Sequence, residues 1–219
     1  MNATVTGPVT GPVTGPVRRS PLAHRAAMAA PDDLLHLSER AFDAKIVLRG
    51  SPEVLAPALE KATGLAMPEA TRSTASETHR LLWQSPDEFL LLGPVDSEPE
   101  LMSALAAELD GQHVQIVNVT DYHTTLVLSG PKARETLMTL STLDLHPRGF
   151  ALDQVAGTTF GHALGWLVQT RDDEAEGGPS FDILVRWSHA DYLFCELTHG
   201  ARAFGMPEAR PVSGEKMEI

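Results

Sequence analysis

The sequence predicts an α+β protein built from two pseudo-repeated β-α-β-β-α lobes with mostly antiparallel sheets. Two observations predict it. Lys45-Ile-Val-Leu-Arg-Gly50, followed by Ser51-Pro52, lines up with Thr125-Leu-Val-Leu-Ser-Gly130, followed by Pro131. Each is a β-rich run, a glycine, and a proline that opens a helical pattern. Downstream, Asp87-Glu-Phe-Leu-Leu-Leu92 is answered by Phe181-Asp-Ile-Leu-Val-Arg186. One unit used twice implies a two-lobed body with a seam, and seams between lobes are common docking places for ligands and partners. Strands inserted between helices in this order form antiparallel sheets with helices on one face.

The elements follow in order. Residues 1–17 contain three copies of a Thr-Gly-Pro-Val tetrapeptide, which offers little to bury, so a disordered tail is expected there. Arg18, Arg19 and Arg25 raise the question of a targeting segment. Pro21, His24 and Arg25 interrupt any apolar stretch, and Met28 offers an internal start. Residues 18–40 are expected to form an N-terminal docking arm, 41–120 the first lobe and 121–205 the second.

In the first lobe, Ser51 and Pro52 mark a helix start, Val54, Leu55, Ala58, Leu59 and Ala62 share a face, and Gly64 closes the helix. His79 to Gln84 and Glu88 to Leu92 read as strands joined by a turn at Ser85-Pro-Asp87. A helix opens at Ser97 with Leu101, Met102, Leu105, Ala106 and Leu109 at the same offsets. The run Val114 to Val119 is expected to bridge the lobes. The second lobe repeats the plan: a strand over 124–128, a helix over 131–140, strands over 163–170 and 181–187 joined by an acidic loop, and a helix over 190–204. Residues 206–219 are expected to fray as a flexible tail.

Composition narrows the function. With 219 residues, 42% apolar and 21% charged, the chain can bury roughly 70% of its unfolded surface in a core. A formal charge of −12 opposes both nucleic acid and anionic membranes. No apolar run approaches the ~20 residues of a membrane helix, so no membrane partner is expected. The single cysteine, Cys195, excludes an internal disulfide, fits a reducing cytoplasm and, within Tyr192 to Leu197, reads as a packed small hydrophobe.

Reactive constellations are sparse. No Gly-x-Ser-x-Gly presents a nucleophile. Glu196 and His199 have helical ligand spacing but lack a second pair, so a metal site is not expected. Asp121 and His123 share a strand face while Ser129 lies about 20 Å farther along, which precludes a triad. Asp121 is expected to be a buried carboxylate accepting backbone N–H bonds. The Gly50 and Gly130 junctions lack the pattern of phosphate loops and read as structural turns. Trp83, Trp166 and Trp187 all fall in expected strands, as core or interface anchors. Asp144 to Arg148 reads as either a plain connector or a docking loop.

Six segments in order carry a family resemblance: Arg19-Ser-Pro-Leu-Ala-His24, Lys45 to Gly50, Leu82 to Leu92, Val119-Thr-Asp121 with Leu126 to Pro131, Leu143-Asp-Leu-His-Pro147, and Asp182 to Leu193. Over residues 19 to 205 the chain resembles the gamma subunit of bacterial heterotetrameric sarcosine oxidase. More widely it resembles glycine-cleavage aminomethyltransferases, although Cys195 stands between Phe194 and Glu196 and not in the Lys-Gly-Cys signature of folate-binding relatives.

The resemblance implies a subunit without catalytic residues, cofactor or metal of its own. It would serve a cytoplasmic complex that oxidatively demethylates sarcosine to glycine, forming hydrogen peroxide and 5,10-methylenetetrahydrofolate. Alpha, beta and delta subunits would be its partners, with FAD, FMN, NAD, zinc and tetrahydrofolate held by the complex as a whole. Docking is expected through Arg19, Pro21, Leu22 and His24 of the arm and Leu145, His146, Pro147 and Arg148 of the loop. A stand-alone folate-dependent aminomethyltransferase is the alternative, and a ligand-sensing module a third.

Overall fold

The computed structural model describes residues 18–212, so the expected disorder of residues 1–17 and the fraying of 213–219 fall outside the described residues. The first unit runs β2 (His36–Arg40), β3 (Asp43–Arg49), α1 (Pro52–Thr63), β4 (Ser73–Ala75), β5 (Arg80–Ser85), β6 (Glu88–Val95) and α2 (Glu98–Glu108). The second runs β7 (Gln115–Asn118), β8 (His123–Ser129), α3 (Ala133–Met138), β9 (Val155–Phe160), β10 (Ala163–Asp173), β11 (Gly178–Arg186) and α4 (Trp187–Gly200). A short β1 (Met28–Ala29) precedes both.

All strand pairs are antiparallel, in two sheets ordered β1-β2-β8-β11-β10-β9 and β4-β5-β6-β3-β7. The register carries the repeat down to single residues. Leu48 faces Phe89 and Lys45 faces Leu92 in one sheet, while Leu128 faces Phe181 and Thr125 faces Leu184 in the other. The first strand of each unit is exchanged: β2 pairs with β8 of the second unit, and β7 pairs with β3 of the first. Residues 36–40 therefore belong to the second lobe's sheet, and residues 115–118 extend the first.

Alternation along the strands produces four layers. Phe89 and Leu91 pack with Leu55, Leu59, Leu101 and Leu105 of α1 and α2. Phe181, Ile183 and Val185 pack with Leu137, Leu193 and Phe194 of α3 and α4. The opposite sheet faces meet through Leu82, Leu90, Leu92, Val155, Val168 and Leu184, so the sheets lie face to face with helices outside. The seam is thus a third core along its middle.

Local chemistry explains the joints. Ser51 and Pro52 stand at the start of α1, and Gly64 ends it in the left-handed region at φ 73°. At Gly130, φ is +123° and a Cβ would stand 2.5 Å from the Leu34 carbonyl oxygen, because the arm crosses directly over this turn. Trp187 differs from expectation. It is the first residue of α4, since β11 ends at Arg186 and the backbone turns helical there. The tail also differs: Met206 is buried in the second core, and the Val212 N–H donates to the His24 carbonyl at 2.8 Å, which ties the described part of the tail to the arm.

Candidate functional site

The arm folds back on its own chain. Ser20 to Arg25 forms a turn in which the Arg25 N–H donates to the Leu22 carbonyl at 2.8 Å. Leu22 is inserted into the core beneath α4. Asp191, one turn into α4, gathers the rest. Arg25 donates to both its oxygens at 2.7 and 3.1 Å, and His24 Nε2 lies 2.8 Å from Oδ1. Burial works against the Asp191 charge, but the hydrogen bonds and charge of Arg25, then of His24, hold its carboxyl below the usual range. Arg25 also reaches Cys195 Sγ at 3.4 Å, while burial keeps that thiol protonated by pushing its pKa up.

The loop from Asp144 to Arg148 is held from beneath by Arg134 of α3. This buried guanidinium donates to the carbonyls of Leu145 at 2.5 Å and Phe150 at 3.0 Å and to Gln169 Oε1 at 3.0 Å. Asp144 Oδ1 accepts from the His146 N–H at 3.0 Å, so the tip is self-supporting. Leu145 points into the core, while His146, Pro147 and Arg148 are exposed.

The eight residues expected to dock therefore divide. Leu22, His24 and Leu145 are spent inside this chain and hold the two segments in shape. Arg19, His146, Pro147 and Arg148 are exposed and Pro21 is half-buried. Leu22 and Leu145 enter the same core cluster, so arm and loop share one support. Asp121 corrects its expectation. Its side chain is 67% exposed and pairs with Arg18 at 2.7 Å, because it sits on the turn between β7 and β8.

The seam holds the chemistry that spacing did not reveal. Lys45 has no exposed surface. Its ammonium donates to the Asp43 carbonyl at 2.9 Å and to the Asp43 carboxylate, and burial pulls its pKa down. Thr125 from the other sheet donates to Asp43, and Arg40 bridges Asp43 and Asp182, the latter at 2.5 Å. Period two placed Lys45 with Val47 on one face, the signal that could have located this pair.

Two cavities lie at the ends of the seam. One, of ≈ 350 Å³, is lined by Arg40, Asp43, His79, Arg80, Thr170 and Asp182. Arg40 and Arg80 there are already matched, with Asp182 and Asp153. The other, of ≈ 320 Å³, is lined by Val119, Tyr122, His123, Trp166 and Arg186 among others. Burial, then the charges of Lys45 and Arg186, lowers the His123 pKa to about 4, so the imidazole is neutral at pH 7.

Among the described residues, no three His, Cys, Asp or Glu side chains converge as a metal site, and no helix is long and apolar enough to cross a membrane. The space a Cβ would take is filled by Val114 at Gly50 and by Leu34 at Gly130, so close packing at these two turns requires glycine.

A duplicated antiparallel α+β body, with charges neutralised inside its seam, defines the class: an aminomethyltransferase-like fold. The comparisons agree. Aminomethyltransferase T of the glycine cleavage system from Bartonella henselae superposes with a TM-score of 0.57 at 15% identity, over 83% of this chain and 48% of that one, a likeness of fold alone. The chain belongs to the sarcosine oxidase gamma subunit family, whose profile matches residues 50–203. Sarcosine oxidase subunit gamma of Corynebacterium sp. (strain U-96) is 32% identical over 200 residues, covering 88% of this chain and 94% of the relative. A chain of heterotetrameric sarcosine oxidase from Corynebacterium sp. U-96, solved with pyrrole 2-carboxylate, superposes with a TM-score of 0.76 at 29% identity, over 88% of this chain and 99% of that one.

Proposed function

We propose that this chain is a non-catalytic subunit of a cytoplasmic sarcosine oxidase complex, supporting assembly around larger alpha and beta chains and a small delta chain. The near end-to-end correspondence with a chain of a heterotetrameric enzyme carries the reading. The filled seam supports it, because the place where a two-lobed body would clasp a substrate is occupied by leucine, valine and the Lys45–Asp43 pair. In this reading the complex demethylates sarcosine to glycine, with hydrogen peroxide and 5,10-methylenetetrahydrofolate as products. In the same reading FAD, FMN, NAD and zinc belong to the other chains.

The exposed residues Arg19, His146, Pro147 and Arg148 are the docking candidates. Co-expression with the partner chains tests the reading. The isolated chain should be colourless and inert toward sarcosine, bind no tetrahydrofolate by calorimetry, and be required for recovery of a yellow, active complex. Turnover of sarcosine by the isolated chain, or full assembly without it, would overturn the proposal.

A further inference from the structure

The two sheets match strand for strand except at one edge. Leu48 and Leu128 are equivalent, since each faces the phenylalanine of its hairpin. Leu37 of β2 pairs with Leu128 and Ile116 of β7 pairs with Leu48, so Leu37 and Ile116 are equivalent too. Beyond β2 lies β1, with Met28 opposite Leu37 and Ala29 opposite His36. Beyond β7, the five-stranded sheet ends among the described residues.

The backbone at that edge is arranged as it is under β1. The Ala30 N–H donates to the Leu35 carbonyl at 2.9 Å, which puts Met28 and Leu37 in hydrogen-bonding register. The Val119 N–H donates inward to the Lys45 carbonyl at 2.8 Å, so alternation turns Val117 inward and the N–H and C=O of Ile116 and Asn118 outward. Under β1, Leu37 is buried where its equivalent Ile116 is half-buried.

Edge strands usually carry a charge, a proline or a bulge that blocks further pairing. His113-Val-Gln-Ile-Val-Asn-Val119 has no Asp, Glu, Lys, Arg or Pro, and it leaves Val117 36% exposed where the covered strand has Ser38. Cavities flank both ends, one against Arg49, His113 and Gln115, the other against Asn118 and Tyr122, giving side chains of an added strand places to settle.

We propose that the free edge of β7 accepts an extended segment of a partner polypeptide. The segment runs antiparallel to β7 and sets an apolar residue opposite Ile116, as Met28 stands opposite Leu37. Main-chain hydrogen bonds supply the affinity and the flanking cavities the selectivity, the logic of strand addition. This rests on the assembly role proposed above and identifies where one partner chain joins.

Hydrogen exchange on the native sequence tests it without any variant. On assembly with the partner chains, the outward amides of Ile116 and Asn118 should exchange about a hundredfold more slowly than in the isolated chain. Val117→Lys, at an exposed side chain, should leave the melting temperature of the isolated chain unchanged and weaken incorporation by about tenfold or more. Unaltered exchange at Ile116 and Asn118 within a complex that Val117→Lys joins normally would overturn this inference and leave the assembly role intact. Failure to form any complex would overturn both. An isolated chain that dimerises, and loses its dimer on Val117→Lys, would assign the edge to a second copy and overturn the choice of partner.

Discussion

Replacing Asp43 with alanine strands a lysine in the seam. Lys45 has no surface exposure and Asp43 only 6%, so the ammonium depends on this carboxylate for its counter-charge. Lys45 would keep the residue-43 carbonyl at 2.9 Å, while Arg40 and the Thr125 hydroxyl would each lose a partner. Breaking one side of a buried pair costs about 3–5 kcal/mol, because an uncompensated charge remains. For a protein of this size that lowers Tm by about 6–20 °C.

The loss should shrink at high pH, since Lys45 already titrates below its ordinary range and can shed its proton there. Asp43→Leu combined with Lys45→Met removes both charges, and an apolar pair of similar volume should return stability to within about 1 kcal/mol of the parent. Urea denaturation followed by tryptophan fluorescence measures all three proteins. A loss below about 1 kcal/mol for Asp43→Ala, or a double variant no better than the single one, would refute the reasoning.

Acid should reveal His123. Its folded pKa of about 4 lies below the ordinary 6.5, so the unfolded chain takes the proton first as pH falls. The stability held above pH 6.5 is lost between 6.5 and 4, by about 3 kcal/mol in all, and His123→Gln should flatten that part of a stability–pH curve. Gly130→Ala should cost about 3 kcal/mol or more, because its Cβ meets the Leu34 carbonyl, whereas Gly111→Ala, at φ 72° with open space around it, should cost about 1–2 kcal/mol; thermal melts separate the two.

Most of the repeat was legible because its signals are local. Lys45 to Gly50 and Thr125 to Gly130 announce themselves by β-rich runs ending in glycine, and the hairpins by Ser85-Pro-Asp87 and the glycines at 177 and 178. Four strands were not legible. β4 is three residues long, β1 two, and β9 carries Gly157 and two threonines in place of an apolar alternation. β2 reads His-Leu-Ser-Glu-Arg, with one residue buried, and is strand only because β8 lies beside it. Pairing between residues nearly a hundred apart leaves no trace in a window of ten. The same holds for the arm and loop: all eight of their named residues were expected to dock, whereas Leu22, His24 and Leu145 turn inward because α4 and Arg134 provide a floor for them.

Strand exchange also sets a clock on biosynthesis. β2 leaves the ribosome early, yet Ser129, which pairs with His36, follows 129 − 36 = 93 residues later. At about 5–20 residues per second, the nascent chain carries β2 with only the two-residue β1 beside it for about 5–20 s. The polar make-up of His36, Ser38, Glu39 and Arg40 suits that interval, since a hydrophilic ribbon can wait in water without recruiting its ribosomal neighbours.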